Sequence, residues 1–368
     1  MLILYVALKY DYGRPEQGYS FEHYNFYNSL HSMGHDILYF DFMTLMHERG
    51  QKAMNRQLLE VAKAEKPDLM FTVLFNDELD PTVVRAISAS GNTLTLNWFC
   101  DDHWRFDNYS RYWAPCFNWV VTTARSALPK YARLGYTQVI KSQWACNQFL
   151  YRKLDLPLTY DISFVGQPHG NRRQIIDALR QAGFDVRAWG SGWETGRLTQ
   201  DEMINVFNQS RINLNLSNAS SMNGLSLPVG RTTRRWLSQL LDRIPFGQRL
   251  KQWRRRPHAS LSSQLVYPDQ IKGRNFEIPG CGGFTLTGRA DNLEDYYAIG
   301  REVVCYDSVP DLVEKVRYHL ARQDERMAIA EAGYQRTIRE HTYAHRFAEV
   351  FQRLKLPGAS SGQSEDVH

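Results

Sequence analysis

The chain has 368 residues, of which 43% are hydrophobic and 23% charged, the composition of a soluble globular protein with room for two α/β domains. The longest apolar runs are far too short to cross a membrane, and the five scattered cysteines have neither CxxC spacing nor histidine partners, so we expect a cytoplasmic protein with reduced thiols and no zinc site. The net charge of +5 is uneven, because residues 231–256 hold nine basic residues and one acid.

The first 155 residues alternate apolar strand-like runs with amphipathic helical stretches, which is the pattern of a parallel sheet covered by helices. Residues 1–155 are therefore expected to form a Rossmann-like domain, with a linker over 147–160. The predicted strands are 2–8, 36–40, 69–74, 93–99, 117–121 and 138–141, and the predicted helices are 21–33, 51–64, 81–88 and 126–134.

The same pattern restarts after the linker, so residues 156–342 predict a second Rossmann-like domain. The expected fold is α/β, with two doubly wound domains facing an interdomain cleft. The last helix, 343–356, is a candidate to cross back to the first domain, and residues 357–368 have no core-forming pattern and are expected to be disordered. The predicted strands are 161–165, 186–189, 212–216, 284–287 and 303–306, and the predicted helices are 172–182, 200–208, 273–279 and those from 309 onward.

An insertion over residues 218–268 interrupts the second domain. Its basic part, 231–256, predicts an amphipathic helix with arginines around an apolar stripe. Such a helix is typical of an element that binds a membrane surface or a polyanion, and a flap whose apolar face packs on the domain fits equally well. The membrane alternative would place the protein peripherally at the inner membrane face. The apolar stripe consists of Trp236, Leu237, Leu240, Leu241 and Ile244.

Residues 270–287 combine an acid on a short helix with a glycine turn and an apolar strand. This order predicts that Glu277 lies near the carboxyl edge of a parallel sheet, where ligands of open α/β folds bind. A carboxylate there can accept both hydroxyls of a ribose. Lys272, Gly273 and Arg274 come at the helix start, where free amides and cations suit a diphosphate. The alternative is a packed helix–turn–strand in which Glu277 is an ordinary helix residue.

A second candidate segment is 164–173, where a strand ends in Gly166 and a loop with Gly170 leads into a helix. Backbone amides in such a loop can approach a diphosphate, and Arg172 or Arg173 can neutralise charge that builds on a leaving group. The alternative is that these arginines are solvated helix residues.

A third candidate segment is 100–104, directly after the predicted strand 93–99. Two carboxylates and a histidine at the carboxyl end of a strand would face the cleft. His103 could hydrogen-bond a sugar, and Asp101 or Asp102 could orient or deprotonate an acceptor hydroxyl if the cleft raises the pKa of that carboxyl. The alternative is helix capping by the aspartates.

Residues 276–284 (FEIPGCGGF) resemble the donor-site segment of GT-B glycosyltransferases. The resemblance extends over nearly the whole chain to the CgeB-like (spore-maturation protein B-like) group of these enzymes. The motifs that carry it are 8–13 (LKYDYG), 18–25 (GYSFEHYN), 97–104 (NWFCDDHW), 142–147 (SQWACN) and 161–166 (DISFVG).

The resemblance implies particular residues in the donor site. It assigns Glu277 and the glycine turn with Gly282 and Gly283 to binding of the nucleotide-sugar. The usual Glu-x7-Glu spacing of the family survives here only as Asp-x7-Glu, with Asp269 in the place of the first acid. Asp269 is therefore a candidate for contact with the transferred sugar.

The resemblance also implies the reaction. We expect a hexosyl- or pentosyltransferase that moves a sugar from a UDP- or GDP-linked donor in the cleft to an acceptor hydroxyl, by the retaining course, with no metal and no other cofactor. The acceptor stays open among glycans, lipids, proteins, small molecules and modified nucleic acid. The alternatives are an epimerase of similar build and a non-catalytic sugar- or surface-associated protein. No GxGxxG follows the first strand, which argues against a redox dinucleotide enzyme.

Overall fold

The computed structural model describes residues 1–217 and 269–357. The whole of the predicted insertion 218–268 lies outside these described residues, and with it the basic helix predicted within 231–256. The tail 358–368, for which disorder is predicted, also lies outside them. In the part of the chain that is described, no helix is long and apolar enough to cross a membrane.

The first domain is built on a parallel sheet of six strands: β1 (Leu2–Val6), β2 (Asp36–Phe40), β3 (Leu69–Thr72), β4 (Leu94–Phe99), β5 (Trp119–Thr122) and β6 (Val139–Lys141). Their order across the sheet is β2-β1-β3-β4-β5-β6, and every pair is parallel. Helices cover both faces, so the central strands are continuous apolar runs, such as LMFT in β3, rather than alternating ones.

The helices of the first domain begin at clear local signals. The Asp41 side chain accepts from the backbone N–H of Thr44 and the Asp80 side chain from that of Thr82, so each satisfies an N–H that the following helix leaves free. A π-helical turn, His23–Tyr27, leads into the first helix. The helices are α1 (Asn28–Ser32), α2 (Phe42–Arg49), α3 (Gln51–Glu65), α4 (Pro81–Ser88), α5 (Asp102–Arg105), α6 (Arg111–Trp113) and α7 (Leu128–Arg133).

The second domain repeats the architecture with five parallel strands: β7 (Tyr160–Val165), β8 (Val186–Trp189), β9 (Ser210–Asn215), β10 (Thr285–Gly288) and β11 (Val304–Tyr306). Their order is β11-β10-β9-β7-β8. The covering helices are α8 (Arg172–Gln181), α9 (Gln200–Gln209), α10 (Arg274–Gly280), α11 (Val309–Leu320) and α12 (Gln323–Glu340).

A last helix, α13 (Tyr343–Leu354), packs on the first domain. Phe347 is 1% exposed, and its ring centroid lies 5.8 Å from Phe26, 5.8 Å from Phe71 and 6.2 Å from Trp98. Burying one such side chain contributes about 1.5–3 kcal/mol, so several on one helix face hold α13 firmly against the first sheet. The chain therefore crosses between the domains twice.

Both sheets have a topological switch point, β1/β3 in one and β7/β9 in the other, beside which ligands of open α/β sheets bind. The carboxyl ends of β4, β7 and β9 lead into Cys100–Asp101, Gly166 and Ser217, and the first two of these segments line one cavity between the domains. Two doubly wound domains facing a cleft, as predicted from the sequence, are confirmed.

Candidate active site

Two adjacent cavities occupy the cleft. The first, of about 360 Å³, is called here the central cavity and is lined by both domains, with Glu22 and Asp101 on one side and Arg172 and Lys272 on the other. The second, of about 600 Å³, is called the side cavity and extends toward Gly190 and the start of α9. The shared wall consists of Phe21, Val165, Gly166, Gln167 and Arg274.

The second domain places cations on the central cavity. Arg172 is 7% exposed, and its Nη1 and Nη2 donate to the carbonyls of Gln167 at 2.9 Å and Leu216 at 2.8 Å, which fixes the guanidinium at the end of β7. Burial lowers the pKa of Arg172 to about 10, so the group stays charged at neutral pH. Burial, with some repulsion from Arg172, lowers the pKa of Lys272 to about 8, although Asp101 and Asp269 oppose the shift. Partly desolvated cations of this kind suit a diphosphate.

Arg274 and Glu277 form an ion pair across one turn of α10. Glu277 is fully buried, whereas Arg274 lies on the wall between the two cavities. A Cβ at Gly273 would come within 3.1 Å of Glu277 Oε1, so the glycine is the thin cover over the carboxylate. The ribose contact predicted for Glu277 therefore requires Arg274 to change rotamer and expose the carboxylate.

Gly166 directly follows β7 and lies on the shared wall of the cavities. The sequence predicts that the loop it begins approaches a diphosphate. The Trp193 indole donates to the Gly166 carbonyl at 2.7 Å, and a side chain at Gly190 would overlap that same carbonyl. The two loops after β7 and β8 thus pack closely, and their backbone forms one side of both cavities.

Gly282 and Gly283, which the resemblance assigns to the donor site, line neither of the two cavities. Gly282 has φ +72° and ends α10, and a Cβ there would come within 3.0 Å of Lys153. A Cβ at Gly283 would come within 2.7 Å of Asn213 Nδ2. Both glycines are explained by helix termination and close packing.

Two further predicted donor residues lie away from the cavities. Arg173 is exposed, stacks on Trp193 at 4.8 Å and donates to the Gly192 carbonyl, so it is the solvated member of the arginine pair. Asp269 is exposed, and its carbonyl accepts from the Asp291 N–H at 2.9 Å. Its charge opposes the lowering of the pKa values of Lys272 and Arg172, so Asp269 lies near those cations, although it does not line the cavity.

The structure separates the two neighbouring aspartates. Asp101 lines the central cavity, lies 3.5 Å from Gln270 Nε2 across the cleft, and makes no side-chain cap to α5. Asp102 is 1% exposed and accepts from the Tyr131 hydroxyl at 2.9 Å inside the first domain. Asp102 therefore does not line the central cavity, because its carboxylate is enclosed by the core of the first domain.

His103 is 7% exposed, and its Nδ1 has no hydrogen-bond partner among the described residues. Burial lowers the pKa of His103 to about 4, with contributions from Lys272 and Lys141, so the imidazole is neutral at pH 7. A neutral ring with an unused nitrogen can hydrogen-bond a sugar hydroxyl if the cleft rearranges to admit it.

Sequence reasoning missed Glu22, which lines the central cavity from the first domain. Burial raises the pKa of Glu22 to about 7, assisted by the charges of Asp11 and Asp101. A carboxyl group that is half protonated at neutral pH can accept or donate a proton. Its position in the GYSFEHYN motif was the available signal. Other residues missed on this cavity are Tyr12, Phe21, Trp144, Asn215 and Gln270.

Within residues 1–217 and 269–357, no three histidine, cysteine, aspartate or glutamate side chains cluster in a way that could hold a metal ion. The basic side chains Arg172, Lys272 and Arg274 line the central cavity.

Comparison with known proteins agrees with this arrangement. A family model described as "Glycosyl transferase-like" matches residues 172–234 and 233–352, that is, nearly the whole second domain and α13. No curated protein sequence gives a significant match.

Solved structures share the fold over most of the chain. HepE from Anabaena in complex with UDP-glucose is 10% identical, with 96% of this chain and 99% of that chain covered and a TM-score of 0.61. A glycosyltransferase from Rickettsia africae is 10% identical, with 96% and 97% covered and a TM-score of 0.57. Sucrose-phosphate synthase from Thermosynechococcus elongatus is 10% identical, with 84% and 79% covered and a TM-score of 0.51. At this identity the likeness shows the fold, and the family model indicates the class of enzyme: the chain is a glycosyl transferase-like enzyme with the GT-B fold.

Proposed function

We propose that the protein transfers a sugar from a UDP- or GDP-linked donor to an acceptor hydroxyl, with retention and without a metal ion, as a member of the CgeB-like group. The observation that carries the proposal is the set of three cations, Arg172, Lys272 and Arg274, on the wall of the central cavity. The adjacent side cavity begins at Arg274 and is lined by charged residues, such as Asp11 and Arg197, and by uncharged ones, such as Gln200 and Met203. The diphosphate of a nucleotide-sugar fits the three cations, and its nucleoside fits the side cavity.

In this proposal the nucleoside occupies the side cavity and the diphosphate lies against Gly166 and Arg274. Glu277 binds the ribose once Arg274 turns from it toward the phosphates, so one rotamer change would serve both parts of the donor. The complexes of HepE with UDP and UDP-glucose support a uridine nucleotide as the first donor to test.

The leaving group of the reaction is a nucleoside diphosphate, on which negative charge grows as the sugar–phosphate bond breaks. Lys272 and Arg172 are the proposed source of stabilisation, because both line the cavity and are partly desolvated, and the Arg172 guanidinium is held by two backbone carbonyls. Loss of one preorganised charge-stabilising donor typically costs about 2.7–4 kcal/mol in the transition state. The same cations would make a divalent metal unnecessary.

The sugar occupies the central cavity, where Glu22 and Asp101 face it from the first domain. We propose that Asp101 orients the acceptor hydroxyl and that Glu22 accepts its proton, since the pKa of Glu22 lies near neutral pH. His103, with Nδ1 unused, is proposed to contact the donor sugar. The acceptor itself is not specified by these groups, and we propose a cytoplasmic site of action.

The proposal is tested by calorimetric titration of UDP and GDP into the wild-type protein, with Lys272→Gln as the variant. Arg173→Gln is the matched control, because it removes a neighbouring positive charge outside the cavities. We expect Lys272→Gln to weaken binding and Arg173→Gln to leave it unchanged. Interconversion of free nucleotide-sugars would instead support an epimerase, and binding of sugars without any nucleotide affinity would support a non-catalytic protein.

A further inference from the structure

A third cavity, of about 460 Å³, lies at the connection between α12 and α13 and is called here the seam cavity. It shares no lining residue with the central or side cavity. The end of β6 contributes Lys141 and Ser142, the second domain contributes Tyr296, and the crossing segment contributes Arg346. Both domains and the segment that joins them therefore meet around one space.

Lys141 and Arg346 face this cavity without a carboxylate partner among the described residues. Lys141 Nζ donates to the Ser142 carbonyl at 2.8 Å and to the Tyr296 hydroxyl at 3.1 Å. Arg346 is 5% exposed, its Nη2 lies 3.2 Å from His341 Nδ1, and its Nε is buried with no hydrogen-bond partner. Each cation is thus held in place by neutral groups.

The two cations also act on each other. Burial lowers the pKa of Lys141 to about 8, and Arg346 is the next largest cause of that shift. Two like charges brought together in a partly desolvated cavity repel, and this cost is offset only by a negative charge between them.

The acids around the seam cavity offset this repulsion only in part, since Asp295 and Asp291 raise the pKa of Lys141 without restoring its ordinary value. Asp295 is also paired with Arg125 at 3.2 Å, and Glu340 is paired with Arg336 and Arg339, each at 2.9 Å. Glu349 lines the cavity, but it is exposed to solvent. Ser142 adds a buried hydroxyl that has no partner among the described residues, and a hydroxyl donates well to an anion.

We propose that the seam cavity binds a phosphate group, held by Lys141, Arg346 and Ser142. A doubly charged oxyanion satisfies both cations, the free Arg346 Nε–H and the Ser142 hydroxyl at once. The phosphate belongs either to a phosphorylated small molecule or to free inorganic phosphate. In both cases it joins groups from the first domain to the segment that crosses from the second.

The test is calorimetric titration of inorganic phosphate into the full-length protein, with and without saturating UDP. Filling the donor cavities with UDP removes phosphate binding to Lys272 and Arg172, and leaves the seam cavity free. We expect saturable binding in the presence of UDP and a loss of about tenfold in affinity in Lys141→Gln, as for one charge-assisted hydrogen bond. Lys153→Gln, which breaks an exposed ion pair with Glu331 elsewhere, is the matched control and keeps wild-type affinity.

Ser142→Ala provides a second variant that retains both cations and is expected to weaken phosphate binding less than Lys141→Gln does. A titration with glucose 6-phosphate distinguishes a phosphorylated small molecule from free phosphate as the ligand. If the cavity accommodates a phosphate ester, glucose 6-phosphate binds at least as tightly as inorganic phosphate. If it does not, the ester binds more weakly. Phosphate affinity that is the same in wild type, Lys141→Gln and Ser142→Ala overturns the proposal, as does the absence of saturable binding. The result is independent of the donor site, because failure of UDP to bind leaves the Lys141 comparison intact.

Discussion

The guanidinium of Arg274 donates to the carboxylate of Glu277 one turn further along α10, and only the arginine of this pair reaches the cleft. The Glu277 carboxylate, which the sequence assigns to a ribose, therefore lies behind Arg274, a residue that lines both cavities. In the proposed mechanism this arrangement links two binding events, since an arginine drawn to a diphosphate would uncover the acid.

Glu277→Gln tests this link while keeping the size of the side chain and one acceptor for Arg274. We expect UDP affinity to fall by roughly 1.5–3 kcal/mol, the usual effect of losing hydrogen bonds to a charged group. Calorimetry on a variant with wild-type circular dichroism measures it. An unchanged affinity would remove Glu277 from the ribose site and leave it as the structural partner of Arg274.

The lowered pKa of Lys272 predicts that activity declines on the alkaline side of the pH–rate profile. Because its pKa is lowered to about 8 in the free protein, kcat/KM for donor hydrolysis should fall as the pH rises through about 8. Lys272→Arg, which keeps the charge, should move this decline to higher pH. An unchanged decline in that variant would mean that another group titrates.

Glu22 predicts a change of stability with pH. Its folded pKa, about 7, is raised above the unfolded value, so its contribution is fully present below about pH 4.5 and is lost as the pH rises through 7. The free energy of unfolding of Glu22→Gln, measured relative to that of wild type, should therefore be higher at pH 8 than at pH 5, by up to about 3 kcal/mol. Urea unfolding at both pH values measures it, with the exposed Glu60→Gln as control. Equal differences at the two pH values would contradict the pKa shift.

Phe347→Ala tests how firmly α13 is bound to the first domain. Replacing this buried ring should lower the free energy of unfolding by about 3–5 kcal/mol, because it leaves a cavity among Phe26, Phe71 and Trp98. Phe149→Ala, at a ring that is 50% exposed, should cost far less. Denaturant titration compares the two, and similar losses would mean that α13 is loosely held.

The fold was predictable because parallel strands that are buried on both faces leave continuous apolar runs such as LMFT in β3. Short elements were not: α2 and the helical turns from Asp102 to Cys116 lack a long periodic face, and the prediction omitted them. A segment that forms only one or two turns of helix is too short to show a recognisable periodicity of apolar residues.

The candidate site was predictable only where a side chain follows a strand or begins a helix. Asp101 and Asp102 are adjacent in sequence, but Asp101 has the non-helical backbone of the N-cap position whereas Asp102 is the first residue of α5. Their side chains point in different directions, and only that of Asp101 reaches the cavity. Glu22 and Lys141 depend on packing between distant segments, for which the sequence has no local signal. The glycines at 282 and 283 line neither cavity, and the sequence could not indicate this because a ligand loop and a tight helix end require the same residue.

The central claim is that a nucleotide-sugar occupies the two adjacent cavities and that its sugar–phosphate bond is cleaved there without a metal ion. The most direct measurement is release of nucleoside diphosphate from a panel of UDP- and GDP-sugars in the presence of EDTA, for wild type, Lys272→Gln and Arg173→Gln. The account predicts turnover of at least one donor by wild type and Arg173→Gln, and a rate about 100- to 1000-fold lower in Lys272→Gln. Turnover that disappears in EDTA and returns with magnesium or manganese, or equal rates in all three proteins, would contradict it.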